Sequence, residues 1–123
     1  MSYVDGFVMA VPRKNLAAYK KLARKAGKVW MEHGALAYVE TVGDDLPKPG
    51  SKKGPLTYAR MVQAKKTDLV VFSWIVYRSR ASRDRVMKKV LADPRLAGMS
   101  DPSALPFDVD RMAWGGFKTL VVL

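Results

Sequence analysis

Six polar residues stand within, or at the end of, otherwise apolar stretches of this chain: Asp5, His33, Glu40, Ser73, Arg83 and Arg111. A carboxylate or guanidinium taken out of water must meet an opposite charge or face a cavity, since burying an unpaired ion is costly. Two chemistries fit such a set. Structural ion pairing is the commoner one. The other is a ligand pocket lined by Trp74, Tyr77 and Trp114, in which Asp5, His33 or Arg83 would move a proton or hold an anion.

His33 is the only histidine, and histidine is the side chain best suited to proton transfer near neutrality. It has no second histidine, no cysteine and no Ser–His–Asp pattern beside it. It lies three residues beyond Trp30, in the last turn of a helix that Gly34 closes. There a ring N–H can meet an orphan carbonyl, and the helix dipole favours the positive form. His33 reads as a cap. Asp44 and Asp45 read as turn-forming acids, because a calcium site needs further oxygen ligands that the basic stretch after them does not offer. "GSKKG" (Gly50–Gly54) lacks the residue order of a phosphate loop. The absence of cysteine excludes disulfides, Cys-ligated zinc, iron–sulfur clusters and thiol nucleophiles, and it suits a reducing compartment. No metal site and no cofactor is expected.

The elements that must position these residues follow from periodicity. "YVDGFVMAV" (Tyr3–Val11) reads as a strand ended by Pro12. From Asn15 to Gly34, Leu16, Tyr19, Leu22, Ala23, Ala26, Val29 and Trp30 recur at helical spacing, with Asn15 as N-cap. Lys20, Lys21, Arg24, Lys25 and Lys28 take the wet side. Ala35–Val42 is a second strand, and the Gly-, Pro- and Lys-rich stretch around Pro47–Pro55 a loop. "TYARMVQAKKTD" is ambiguous, a short helical turn running into a strand being one reading. Leu69–Tyr77 is rich in β-branched and aromatic residues and is the clearest strand. A helix follows from about Ser79 to Ala92, with Val86, Met87, Val90 and Leu91 inward and Arg83 on the same stripe as Val86, Met87 and Val90. A Pro-punctuated connection leads to a last strand, Arg111–Leu123, whose paired glycines suggest a bulge or a close approach.

The order is β-α-β-β-α-β, the ferredoxin-like split βαβ, so residues 1–123 are expected to form one α+β domain. In that order the first strand lies between the third and fourth, and Asp5, Ser73 and Arg111 could converge. The Leu69–Tyr77 strand is apolar on both sides, Val70, Phe72, Trp74 and Val76 facing one way and Val71, Ser73, Ile75 and Tyr77 the other. With helices for one face only, a second copy is the expected cover for the other.

"YVDGFVMAVP", "HGALAYVETVGDD", "VVFSWI", "SRDRVMKKVLADPR" and "PFDVDRMAWGGF" resemble the DUF1428, or YbaA-like, family of small uncharacterised bacterial proteins along nearly the whole chain. The resemblance implies a dimeric α+β barrel, in which two ferredoxin-like sheets pack face to face. That superfamily includes cofactor-free monooxygenases, isomerases, haem proteins and ligand-sensing domains, and fold alone does not choose among them. The loop before the third strand is longer and more basic here than the family pattern, and Tyr58 stands where phenylalanine is usual.

The net charge of +11 favours anionic partners. A solvated basic surface is the simpler account, and nonspecific nucleic-acid binding the alternative. No signal peptide or membrane-spanning run is evident, which points to a cytoplasmic protein. The expected function is a homodimer holding an unidentified small molecule between sheet and helices. A cofactor-free monooxygenase- or isomerase-like enzyme is the second possibility.

Overall fold

Alternation along the strands decides which residues meet which layer. In the computed structural model, which describes residues 2–48 and 55–123, β1 (Tyr3–Pro12), β2 (Ala37–Val42), β3 (Asp68–Tyr77) and β4 (Met112–Lys118) form one antiparallel sheet in the order β2-β3-β1-β4. The helices are α1 (Leu16–Glu32), the single-turn α2 (Tyr58–Met61) and α3 (Arg80–Ala92). The chain is therefore α+β. Gly50–Gly54 lies outside the described residues.

Tyr3, Asp5, Phe7, Met9 and Val11 of β1 stand opposite Tyr77, Ile75, Ser73, Val71 and Leu69 of β3, and this face packs under α1 and α3. Tyr19, Ala23, Ala26 and Val29 of α1 and Val86 and Val90 of α3 are buried, as their helical spacing predicts, whereas Leu91, expected inward, is 77 % exposed because the last turn of α3 turns it away from the sheet. On the second face Val4, Gly6, Val8 and Ala10 pair with Val76, Trp74, Phe72 and Val70. There, among the described residues, α2 covers one end, where Ala59 and Val62 pack on Val8, Ala10 and Val70.

The helix ends show what the chain does with orphan backbone groups. Asn15 does not cap α1 with its side chain; a 3-10 turn over Arg13–Asn15 precedes the helix, and Asn15 Nδ2 donates to the Pro106 carbonyl at 3.1 Å. Ser79 does cap α3, accepting from the Ser82 amide at 3.1 Å. Beyond α3 the chain runs through short 3-10 turns over Pro94–Ser100, Pro102–Ala104 and Val109–Arg111. Asp93, Asp101 and Asp108 cap them in turn. Asp and Pro together favour such turn starts, which is why the connection is ordered without being regular.

The last strand is shorter than its sequence suggests. β4 ends at Lys118, which pairs with Tyr3, the first residue of β1. Thr119 still donates to the Ser2 carbonyl, but Leu120–Leu123 have no neighbouring strand among the described residues and are exposed. A strand-forming sequence cannot extend a sheet whose partner strand has run out.

Candidate functional site

Glu40 sits on the helix-covered face of β2, opposite Ser73 of β3. Tyr19, reaching down from α1, donates its phenol to Glu40 Oε2 at 2.6 Å, and Tyr38, two residues back on β2, donates to Oε1 at 2.9 Å. One carboxylate thus accepts a phenol on each oxygen. Burial, reinforced by the Glu40 charge, lifts both phenols far above their ordinary range, so they stay protonated donors. The close approach depends on Gly27. A Cβ there would come within 2.7 Å of the Tyr38 ring, so glycine is what lets this ring lie against the backbone of α1.

This clamp stands between two concavities. An inner cavity of about 270 Å³ lies between sheet and α1, walled by Phe7, Trp30, Ser73, Met99 and Phe107 among others. An outer groove of about 860 Å³ runs along α1 beside the edge of β2. Tyr19, Ala23, Tyr38 and Glu40 line both. A carboxylate has about four lone-pair directions. Two phenols therefore leave Glu40 able to accept a further N–H or O–H from a molecule in either space.

A second polar cluster lies at the far end of the same sheet face. Asp5 is buried at 1 % exposure, and its Oδ1 stands 3.5 Å from Arg83 Nε without a hydrogen bond. Arg83 is held by the Tyr3 hydroxyl (3.0 Å), by Asp84 (3.3 Å) and by the Tyr3 ring beneath the guanidinium. Burial raises the Asp5 pKa more than Arg83 lowers it. Tyr77, fully buried beside Asp5, accepts from Trp30 Nε1 at 3.0 Å. A Cβ on Gly116 would overlap the Tyr3 hydroxyl and Arg83 Nη2, so the second of the paired glycines makes room for this cluster. Neither cavity is lined by Asp5 or Arg83, which face each other as a buried ion pair.

The remaining residues singled out from the sequence are dispersed. Arg111 does not converge with Asp5 and Ser73. It precedes Met112, which pairs with Met9, whereas Asp5 pairs with Gly116, so the two lie at opposite ends of β1. Arg111 instead bonds Asp68 at 2.5 Å and the Gln63 carbonyl at 3.1 Å. His33 is the C-cap residue of α1, but its ring does not meet a helix carbonyl; Nε2 lies 2.8 Å from Asp93 Oδ2. Of Trp74, Tyr77 and Trp114, only Trp74 lines either of the two cavities. Trp74 borders the inner cavity, yet alternation puts its indole on the other face beside Phe72, ring centroids 5.6 Å apart. Trp114 stacks on Phe7 at the β4 edge and is half exposed.

The sequence singles out Glu40 and Ser73 as candidates but not Tyr19 or Tyr38. The available signal was that a buried phenol needs a polar partner: Tyr38 stands two residues before Glu40 on the same strand, and Tyr19 lies on the inward stripe of α1. Among the described residues no group of three or more His, Cys, Asp or Glu side chains could hold a metal ion, and no helix is long and apolar enough to cross a membrane.

Fold and site together define an α+β protein with a single carboxylate set in an aromatic pocket between helix and sheet. The chain belongs to the family described as "Protein of unknown function (DUF1428)", whose model matches residues 2–109. It is similar to the "Uncharacterized protein YbaA" of Escherichia coli strain K12, at 42 % identity over 122 residues and 98 % of each chain. The proteins of that name from Escherichia coli O157:H7 and Shigella flexneri match to the same extent.

Proposed function

We propose that this protein is a homodimeric, ferredoxin-like α+β barrel protein that binds a small organic molecule between α1 and the sheet. The observation that carries the reading is the inner cavity, about 270 Å³, with aromatic and methionine walls and Glu40 and Ser73 as its polar points. Small-molecule sites have this character: mostly apolar linings, few placed polar groups, and volumes from about 300 Å³ upward. A cavity just below that range suits a single aromatic ring or a short branched chain. Glu40, already holding two phenols, would select an occupant that donates an N–H or O–H.

Indole supplies a ring and one N–H donor, and serves as the probe. Titrated into isotopically labelled protein, it should shift the amides of Phe7, Tyr38, Ser73 and Met99. Ala23 lines the cavity from α1, and Ala23→Leu should fill that space and abolish the shifts while the protein stays folded. Shifts that survive Ala23→Leu, or that fall elsewhere on the surface, would remove the pocket as the site.

A further inference from the structure

We propose that the outer groove takes an amphipathic anion, a molecule with an apolar chain and a carboxylate or similar head. The assignment rests on the reading of the Glu40 pocket as a binding site and adds the ligand class. Two adjacent ridges of α1 build one wall. Ala23, Gly27 and Met31 form the lower, apolar ridge, and Lys20, Arg24 and Lys28 form the upper one. Residues four apart rise about 6 Å per step, so the three cations make a rail about 12 Å long above an apolar bed. Val42 and Val71 close the opposite side. Met31 and Val42 are each almost half exposed there, so apolar surface along the groove is left uncovered.

The charge balance selects the sign of the head group. The groove has two acids, Glu32 and Glu40. Glu32 is engaged by Arg95 at 2.7 Å, and Glu40 accepts the two phenols. Among the described residues none of Lys20, Arg24 and Lys28 has an ion-pair partner. An anionic head therefore finds free cations at the rim, while a carboxylate pushed inward would meet Glu40. The molecule lies with its chain along Ala23, Gly27 and Met31 and its head on the rail. The volume of about 860 Å³ accommodates a chain of fatty-acid size.

Decanoate, decyltrimethylammonium and 1-decanol share one chain and differ in charge, and chemical-shift mapping reports where each binds. Decanoate should shift Ala23, Gly27, Met31, Tyr38 and Val42 and bind more tightly than the other two. Replacing Lys20, Arg24 and Lys28 together by glutamine should weaken decanoate about tenfold and leave 1-decanol unchanged. Lys21→Gln with Lys25→Gln removes two charges from the same helix outside the groove, and decanoate should be held as before. Equal binding of decanoate and 1-decanol, or an equal loss in the Lys21/Lys25 variant, would overturn the anion assignment and leave the pocket standing. Absence of groove shifts with all three probes would overturn the groove as a site, while the indole shifts decide the inner cavity separately.

Discussion

His33 Nε2 lies 2.8 Å from Asp93 Oδ2, and this one contact ties the C-terminal end of α1 to that of α3. Asp93 also caps the following 3-10 turn through the Arg95 amide and receives the Arg95 guanidinium. The Arg95 and His33 hydrogen bonds hold its carboxyl well below the usual carboxylate range. Asp93 is therefore the hub and His33 one of its donors.

That asymmetry orders two substitutions. His33→Gln keeps an amide donor and leaves Arg95 on Asp93, so it should lower Tm by no more than a few degrees. Asp93→Ala removes the cap and both side-chain partners at once and should lower it by clearly more. Thermal melts of the two variants check the order, and a larger loss in His33→Gln would show a role for the ring beyond this contact.

Gly27 makes a prediction opposite to helix propensity. Glycine inside a helix costs about 0.5–1 kcal/mol relative to alanine, so Gly27→Ala would ordinarily stabilise α1. Here the added Cβ runs into the Tyr38 ring. Displacing a packed ring typically costs about 1–3 kcal/mol, and the net effect should be destabilising, with the Tyr38–Glu40 bond lost. Urea denaturation reads the sign; a stabilised variant would mean that Tyr38 does not lie against α1.

Asp5 and Asp68 contribute to acid stability with opposite signs. Burial lifts Asp5 above its ordinary 3.8, so its contribution is fully present below about pH 3.8 and is lost as pH rises through the raised value. For Asp68 burial acts upward too, but the hydrogen bonds from Arg111 and the Lys65 amide prevail and hold it below 3.8. Its contribution is present above that value and lost as pH falls. Asp5→Asn removes the first effect and leaves the second. Denaturation measured from about pH 6 to about pH 3 should therefore show the variant losing stability more steeply than the wild type. A flatter variant would mean that Asp5 is not the raised group.

Removing the guanidinium tests the same pair from the other side. Arg83→Met leaves a buried carboxylate without its cation and should cost about 3–5 kcal/mol near neutrality. Adding Asp5→Asn should recover part of that loss, and the double-mutant cycle measures the coupling.

What was legible in the sequence depended on the range of the interactions. The α1 stripe, the two-faced β3 and the α+β class are local patterns, carried by neighbours three, four or two residues apart. Asp68–Arg111, His33–Asp93 and Asp5–Arg83 join residues 43, 60 and 78 apart, and periodicity is blind to such distances. The polar residues in apolar elements announced that partners were needed but not which ones. Tyr19 and Tyr38 were hidden for the converse reason. Each fits an apolar pattern by its ring, and only the fold reveals that both hydroxyls end on Glu40. The strand expected to reach Leu123 failed because propensity says nothing about where β1 begins.

The sheet face that the described helices leave largely open gives the last prediction. The side of the sheet away from α1 and α3 presents Val4, Trp74 and Val76 half-buried, with Phe72, whose ring meets Tyr58 of α2 on one side, 41 % and Phe117 63 % exposed. Water against contiguous apolar surface of this kind is unfavourable by about 25 cal/mol per Å². A second copy of the same face, packed sheet to sheet, removes it with about 800 Å² buried per partner, the size of a stable interface. Light scattering should return about twice the 13.7 kDa chain mass. Phe72→Glu puts a charge at the centre of that face, where a monomer tolerates it because the position is already wet. The variant should run as a folded monomer, with helical and strand circular dichroism retained. A wild type that is monomeric at micromolar concentration, or a Phe72→Glu protein that stays dimeric, would show that the face is not where two chains meet.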